Sequence, residues 1–335
     1  MGVPERPSGG LPGGPSGAAS RVGPADPGGP GAPGRPGGPR PGPADQADPR
    51  SLRPGPAGPG PLRLGAGPEA PLLAANLKWL FTELPFERRF AAAADAGFAG
   101  VEYAAPYPYP PARLRTLLRD AGLRQVLINS PAGAPGSSER SGVACHPGRA
   151  ADFRAGVERG LEYATELGAG LLHVLAGIVP PDVGAEQAFA TYVTNLLWAA
   201  ERAHGTGVRL VIEAQNDRDA PGYFLGTQAR AAAVAQAVGF DRVGLLLDLY
   251  HARLTEGDPV RTLHTYLPYA LHLQLADPPD RTEPGTGDIP WPRVVGALRA
   301  AGYGGWLGCE YAPVGATVAG LGWVAEVAAS AEVTS

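Results

Sequence analysis

Eight short apolar runs, each followed by a longer segment of helical period, constrain this chain more than any other feature. The runs are LLAANL (72–77), GVEY (100–103), QVLINS (125–130), LLHVLAG (171–177), VRLVIEAQN (208–216), VGLLLDLYH (243–251), ALHLQLAD (270–277) and GWLGCEY (305–311). Between them lie segments such as FERRFAAAADAG, ARLRTLLRDAG and DFRAGVERGLEYATELGA, rich in Ala, Leu, Arg and Glu and often closed by the glycine that ends a helix. Continuous apolar strands alternating with amphipathic helices call for a parallel sheet buried on both faces. Eight such units in about 265 residues predict an α/β fold of the (β/α)8 TIM-barrel type. An open doubly wound sheet would carry a Gly-rich phosphate turn after its first strand, and NLKWLFTELPF has no glycine.

Residues 1–70 hold 19 Gly and 18 Pro, too many for regular structure or a packed core, and no collagen-like period is sustained. This segment is expected to be a disordered Gly/Pro-rich tail, with residues 71–335 forming one catalytic barrel domain. The opening MGVPERPSGGLPGGPSG lacks the apolar stretch of a secretory signal, and no apolar run approaches the roughly 20 residues of a membrane span. Cys145 and Cys309 stand far apart and offer neither a disulfide framework nor zinc-type spacing. A cytoplasmic protein with no membrane partner is the expectation, and formation of a homo-oligomer is left open.

The formal net charge is -4, and the tail carries 7 Arg against 5 acids, so the rest of the chain is near -6. Nucleic acid is excluded as an expected partner, because binding phosphates needs a clustered basic surface.

In such a barrel, chemistry comes from the C-terminal ends of the strands and the loops after them. Glu213 closes LVIE, Asp248 closes LLLD, Gln274 closes LHLQ and Glu310 closes LGCE, each behind an apolar run. Any one of them alone reads as a helix N-cap or a solvated loop residue. Four on consecutive strands converge on one half of the barrel mouth, and three buried carboxylates that close repel one another unless a cation sits among them. Oxygen donors without a Cys/His cluster point to a hard divalent ion, Mg2+ or Mn2+. His251, just beyond Asp248, is placed to donate a hydrogen bond to a substrate oxygen. His173 in LLHVLAG either reaches the mouth from the fourth strand or is a buried structural residue. His272 alternates with Gln274 and belongs one layer deeper, where packing is its expected role.

NLKWLF, GFAGVEY, PYPY, SPAG, ACHPGR, VIEAQNDRDAPGYFL, LDLYHARLTEGD, HLQLADPPDRTEPGTGDI and GWLGCEYAP resemble the hydroxypyruvate isomerases, members of the xylose-isomerase-like barrels, over about residues 72–325. The resemblance implies that Glu213, Asp248, Gln274 and Glu310 bind a divalent metal and that Glu213 and Glu310 form the acid/base pair. It implies isomerisation of hydroxypyruvate to tartronate semialdehyde, or of a 2-oxo acid one carbon longer, since 2-oxo-tetronate isomerases are similar in sequence. Departures fall outside the metal set: Ala214 and Gln215 stand where the family has Pro-Ile before Asn216, SERSG replaces GERG, and GDIP replaces GEIN.

A small 2-oxo acid substrate calls for a cation at the mouth, and Arg281 in the loop after the seventh strand is the candidate. Glu283 is expected to orient that loop or to neighbour His251, and Asn129 with Ser130 ends the third strand with hydrogen-bonding groups. APYPYPP after the second strand predicts a stiff apolar wall over the site. A ketose 3-epimerase would use the same machinery, and Gln274 where epimerases carry histidine argues against it. An abasic-site endonuclease would need several histidine ligands and a basic crescent, and a barrel that only binds would not need all four donors.

Overall fold

The computed structural model of the protein describes residues 60–65, 67–133 and 139–333. Eight strands, β1 (Leu72–Asn76), β2 (Gly100–Tyr103), β3 (Arg124–Asn129), β4 (Leu171–His173), β5 (Arg209–Glu213), β6 (Val243–Asp248), β7 (Ala270–Leu275) and β8 (Trp306–Cys309), pair in chain order. Every pairing is parallel, and β1 against β8 closes the barrel. The expected TIM barrel is the observed fold.

Helices α1 (Phe86–Asp95), α2 (Pro111–Ala121), α3 (Ala150–Leu167), α4 (Ala185–Ala203) and α5 (Gln228–Val238) return the chain between the first six strands. Two short helices, α6 (Leu249–Glu256) and α7 (Pro259–Tyr266), share the next crossover; α8 (Trp291–Ala300) precedes β8, and α9 (Thr317–Gly320) and α10 (Trp323–Val333) follow it. Among the described residues no helix is long and apolar enough to cross a membrane.

Successive strand side chains alternate between the outer core and the barrel interior. Leu73, Ala75, Leu210, Ile212, Leu245 and Leu247 face outward and merge with the helices into one large core. Ala74, Leu127, Val211 and Leu246 form a separate small cluster inside the barrel, with Leu171, Leu271 and Trp306 against it. That floor of apolar side chains shuts the barrel from below and leaves the next inward layer, toward the strand C-termini, to polar residues.

Residues 60–70 correct the expected boundary of the tail. Leu62 N–H donates to Gly97 O at 2.8 Å, Arg63 bridges Leu72 antiparallel, and Leu64 is 2% exposed. The folded body therefore begins ahead of β1, because Leu62 and Leu64 find apolar partners that a Gly/Pro-rich count does not register. Residues 1–59, the greater part of the expected tail, lie outside the described residues.

Candidate active site

Two residues above the interior apolar floor, the strands present their polar layer. The step from Ala74 to Asn76, Leu127 to Asn129, Leu171 to His173, Val211 to Glu213 and Leu246 to Asp248 is the same alternation carried to the strand ends. His272 to Gln274 and Gly308 to Glu310 continue it around the barrel. Asn76, Asn129, His173, Glu213, Gln274 and Glu310 border a cavity of about 1450 Å3, together with Trp79, Tyr107, Tyr250, His251 and Arg281, while Asp248 is fully buried.

Asp248 serves two purposes. Its Oδ1 accepts from the Tyr250 N–H at 2.8 Å and caps α6, while its Oδ2 accepts from Arg281 Nη2 at 2.9 Å inside the site. One oxygen caps the helix and the other meets the guanidinium.

Glu213 and Glu310 flank it. Glu213 Oε2 accepts from Gln215 Nε2 at 2.9 Å, and Glu310 Oε1 accepts from Trp79 Nε1 at 3.0 Å. Burial pushes the Glu213 carboxyl well above the ordinary carboxylate range, and Glu310 and Asp248 beside it push the same way. Burial raises Glu310 as well, against the pull of the Arg281 guanidinium. Both carboxyls are thus displaced upward from the ordinary carboxylate range.

Arg281 reaches the site from the loop after β7 through a left-handed backbone (φ 56°), unusual for a residue with a Cβ. Its guanidinium stands 3.3 Å from Glu310 Oε2 and stacks 5.1 Å from the Trp79 ring centroid and 4.9 Å from that of Tyr250. Burial works against its charge, but Glu310, Asp248 and Glu213 outweigh that and raise its pKa.

His251 faces the same carboxylates, with Nε2 3.7 Å from Glu213 Oε1 and 3.6 Å from Asp248 Oδ2. Its Nδ1 accepts from the Asn216 backbone N–H at 3.2 Å and lies 2.6 Å from Asn216 Nδ2. A nitrogen that accepts from a backbone N–H carries no proton, so the neutral ring holds it on Nε2. Burial keeps the ring neutral, its pKa lowered to about 4. The 3.4 Å approach of Arg281 Nη1 to Nε2 is then a contact between two donors, not a hydrogen bond.

His173 Nε2 lies 3.8 Å from Glu213 Oε2 and has no hydrogen-bond partner, and burial first, then His272 and His251, lower its pKa to about 3. Asn129 borders the cavity, and its backbone carbonyl accepts from the Tyr107 hydroxyl, which ties the Pro/Tyr segment after β2 to the rim. Glu283 is not part of the mouth. Its carboxylate accepts from the Val314 N–H at 3.0 Å and ties the loop after β7 to the loop after β8.

Ligand atoms of Glu213, Asp248 and His251, all buried, lie within 4.8 Å of one another, a spacing that could hold a metal ion. The protonated Nε2 argues against His251 as a ligand. Gln274 supplies a better donor, since its Oε1 is buried at the cavity with no hydrogen-bond partner. Two carboxylates and an orphaned amide oxygen, with Glu310 across from them, fit a hard divalent cation.

Sequence reasoning passed over Glu102, Asn76 and Trp79. Glu102 on β2 is fully buried and accepts from Asn76 Nδ2 at 3.0 Å and from Gln274 Nε2 at 2.7 Å, with His272 Nε2 2.6 Å from its other oxygen. An acid in the middle of an apolar strand was the available signal.

A closed parallel barrel whose carboxyls converge at the C-terminal mouth defines the class, a TIM-barrel enzyme. The model of the xylose isomerase-like TIM barrel family matches residues 90–327, and the chain belongs to that family. The 2-oxo-tetronate isomerase of Cupriavidus necator is 42% identical over 254 residues, covering 76% of this chain and 97% of that protein. The hydroxypyruvate isomerase of Escherichia coli is 39% identical over 250 residues, covering 75% and 96%. The crystal structure of an AP endonuclease, family 2, from Brucella melitensis matches with a TM-score of 0.73 at 38% identity, over 76% of this chain and 98% of that one. Isomerases so similar across nearly all of the folded chain make this protein an enzyme of the isomerase class.

Proposed function

We propose that the protein interconverts the ketone and aldehyde forms of a small 2-oxo acid with a hydroxyl on the adjacent carbon, hydroxypyruvate to tartronate semialdehyde being the simplest case. The observation that carries this reading is the placement of two glutamates, Glu213 buried and Glu310 partly buried, on one cavity with Arg281 reaching both Glu310 and Asp248. Moving a carbonyl along the chain requires removal of the C–H proton at C3 and delivery of a proton to C2, through an enediolate. Glu213 and Glu310 are the groups able to take and return it. His251, held neutral with its proton on Nε2, donates to a substrate oxygen as negative charge builds there. Arg281 supplies the cation for the substrate carboxylate. Trp79 and Tyr250, stacked against Arg281, keep that cation dry and fixed.

Glu213, Asp248, Gln274 and Glu310 are the donors for a divalent ion, Mg2+ or Mn2+, which when bound supplies Lewis-acid stabilisation of the enediolate oxygens. The protein's relatives support a second substrate. The Cupriavidus relative is named a 2-oxo-tetronate isomerase, and a cavity of about 1450 Å3 has room for a fourth carbon. The name of the Brucella structure raises action on abasic DNA, which a chain of net charge -4 and a mouth of carboxylate and amide donors oppose.

Proton NMR of metal-stripped protein in D2O with hydroxypyruvate, with and without Mg2+ or Mn2+, tests the proposal. Metal-dependent tartronate semialdehyde with deuterium entering the substrate, both lost in Glu310→Gln, is the expected result. Metal binding without product or exchange would refute hydroxypyruvate as substrate and turn the test to 2-oxo-tetronate.

A further inference from the structure

Beneath the polar layer lies a buried carboxylate that the proposed chemistry does not use. Glu102 projects from β2 into the barrel interior and is wholly inaccessible. Room for it is built into β8, on the far side of β1: a Cβ on Gly308 would fall within 3.0 Å of both carboxylate oxygens. A buried acid is costly unless every lone pair is matched, and here the partners converge from two strands. Asn76 Nδ2 on β1 and Gln274 Nε2 on β7 both donate to Oε1, and His272 Nε2 on β7 meets Oε2.

Two of these contacts fix the orientation of an amide. Asn76 Oδ1 accepts from the Lys78 N–H at 3.1 Å, so its Nδ2 must face Glu102. With Oε1 of Glu102 able only to accept, Gln274 must also present its nitrogen, at 2.7 Å. Reversing the Gln274 amide would set two oxygens that close together. Its own Oε1 is therefore turned away from Glu102, buried and without a protein partner, on a side chain that borders the same cavity as Glu213.

We infer that Glu102 is a positioning residue that locks the Gln274 amide with its oxygen toward the cation site, so that a residue one layer below the mouth sets the affinity for the divalent metal. The inference rests on the proposed metal set. Partners of this kind behind a ligand are generally worth about 10- to 100-fold in metal affinity. His272 is the second arm of the lock, because its contact holds Oε2 and so keeps Oε1 aimed at the two amides.

The test is calorimetric titration of the whole metal-stripped chain with Mn2+, for wild type, Glu102→Met, Gln274→Ala and the double variant, with melting temperatures measured alongside. Glu102→Met is expected to weaken Mn2+ roughly 10- to 100-fold, and to weaken it no further when Gln274 is already Ala. Glu102→Gln keeps an acceptor for both amides and should restore near-wild-type affinity, which a loss of general stability would not. Equal losses in the Gln and Ala backgrounds, or unchanged affinity in Glu102→Met, would overturn the inference while leaving the metal reading intact. Failure of the wild type to bind one Mn2+ would overturn both. Should Glu102→Met not fold, the side-chain NH2 of Gln274 in 15N-labelled wild type, assigned by its loss in Gln274→Ala, decides the matter. Slowed solvent exchange of one proton, kept on adding Mg2+, supports the lock, and rapid exchange of both protons refutes it.

Discussion

The Asn216 backbone N–H donates to His251 Nδ1 at 3.2 Å, and this bond fixes which ring nitrogen carries the proton. His251 thereby presents an N–H rather than a lone pair to the ligand-spaced atoms around it, and in the proposed reaction it donates to substrate instead of binding the metal. His251→Ala should lower kcat/KM by roughly 10- to 100-fold, the worth of a hydrogen bond to developing charge. Mn2+ affinity should stay at the wild-type value. A parallel loss of metal binding in the titration would show that the ring ligates.

In the proposed isomerisation Glu213 and Glu310 share one task, and their substitutions should not add. Each change to Gln is expected to cut kcat roughly 10^2- to 10^4-fold, and the double variant should be little worse than the poorer single, because a proton relay fails when either end is lost. Steady-state rates on hydroxypyruvate and 2-oxo-tetronate measure this. Multiplicative losses would mean that the two act independently.

Gly308 faces Glu102 without room for a methyl group. Gly308→Ala should therefore destabilise the fold by about 1–3 kcal/mol, the usual penalty for overpacking a rigid interior. Urea unfolding with an unchanged slope would report it, and a value indistinguishable from wild type would mean that the carboxylate moves freely.

How much of this was legible in the sequence depends on how far apart the interacting residues lie along the chain. The barrel was legible because each apolar run and each helix announces itself within a dozen residues. Glu213, Asp248 and Glu310 were legible for the same reason, as acids ending apolar runs. Glu102 was not, since its partners His272 and Gln274 are 170 and 172 residues away. Trp79 donates to a carboxylate 231 residues distant, and nothing in NLKWLF marks it. Glu283 misled because TEPG lies next to Arg281 in sequence, while its carboxylate turns to Val314. Leu62 and Leu64 were masked by the glycines and prolines around them.

The buried imidazoles give stability a pH dependence of definite sign. His173 titrates at about 3 and His251 at about 4 in the fold, against 6.5 in an unfolded chain. Between those values the unfolded chain binds protons that the folded one refuses, so stability present above pH 6.5 is lost as pH falls toward 4. Glu213 and Glu310 act in the opposite direction, since carboxyls whose pKa is raised by burial favour the fold as they are protonated. Wild type alone therefore mixes the two effects, and the difference between wild type and His173→Leu isolates the imidazole. Melting temperatures of the metal-free protein from pH 7 to 4 should fall less steeply in His173→Leu than in wild type. Parallel curves would mean that His173 takes up its proton in the folded state as readily as in the unfolded one.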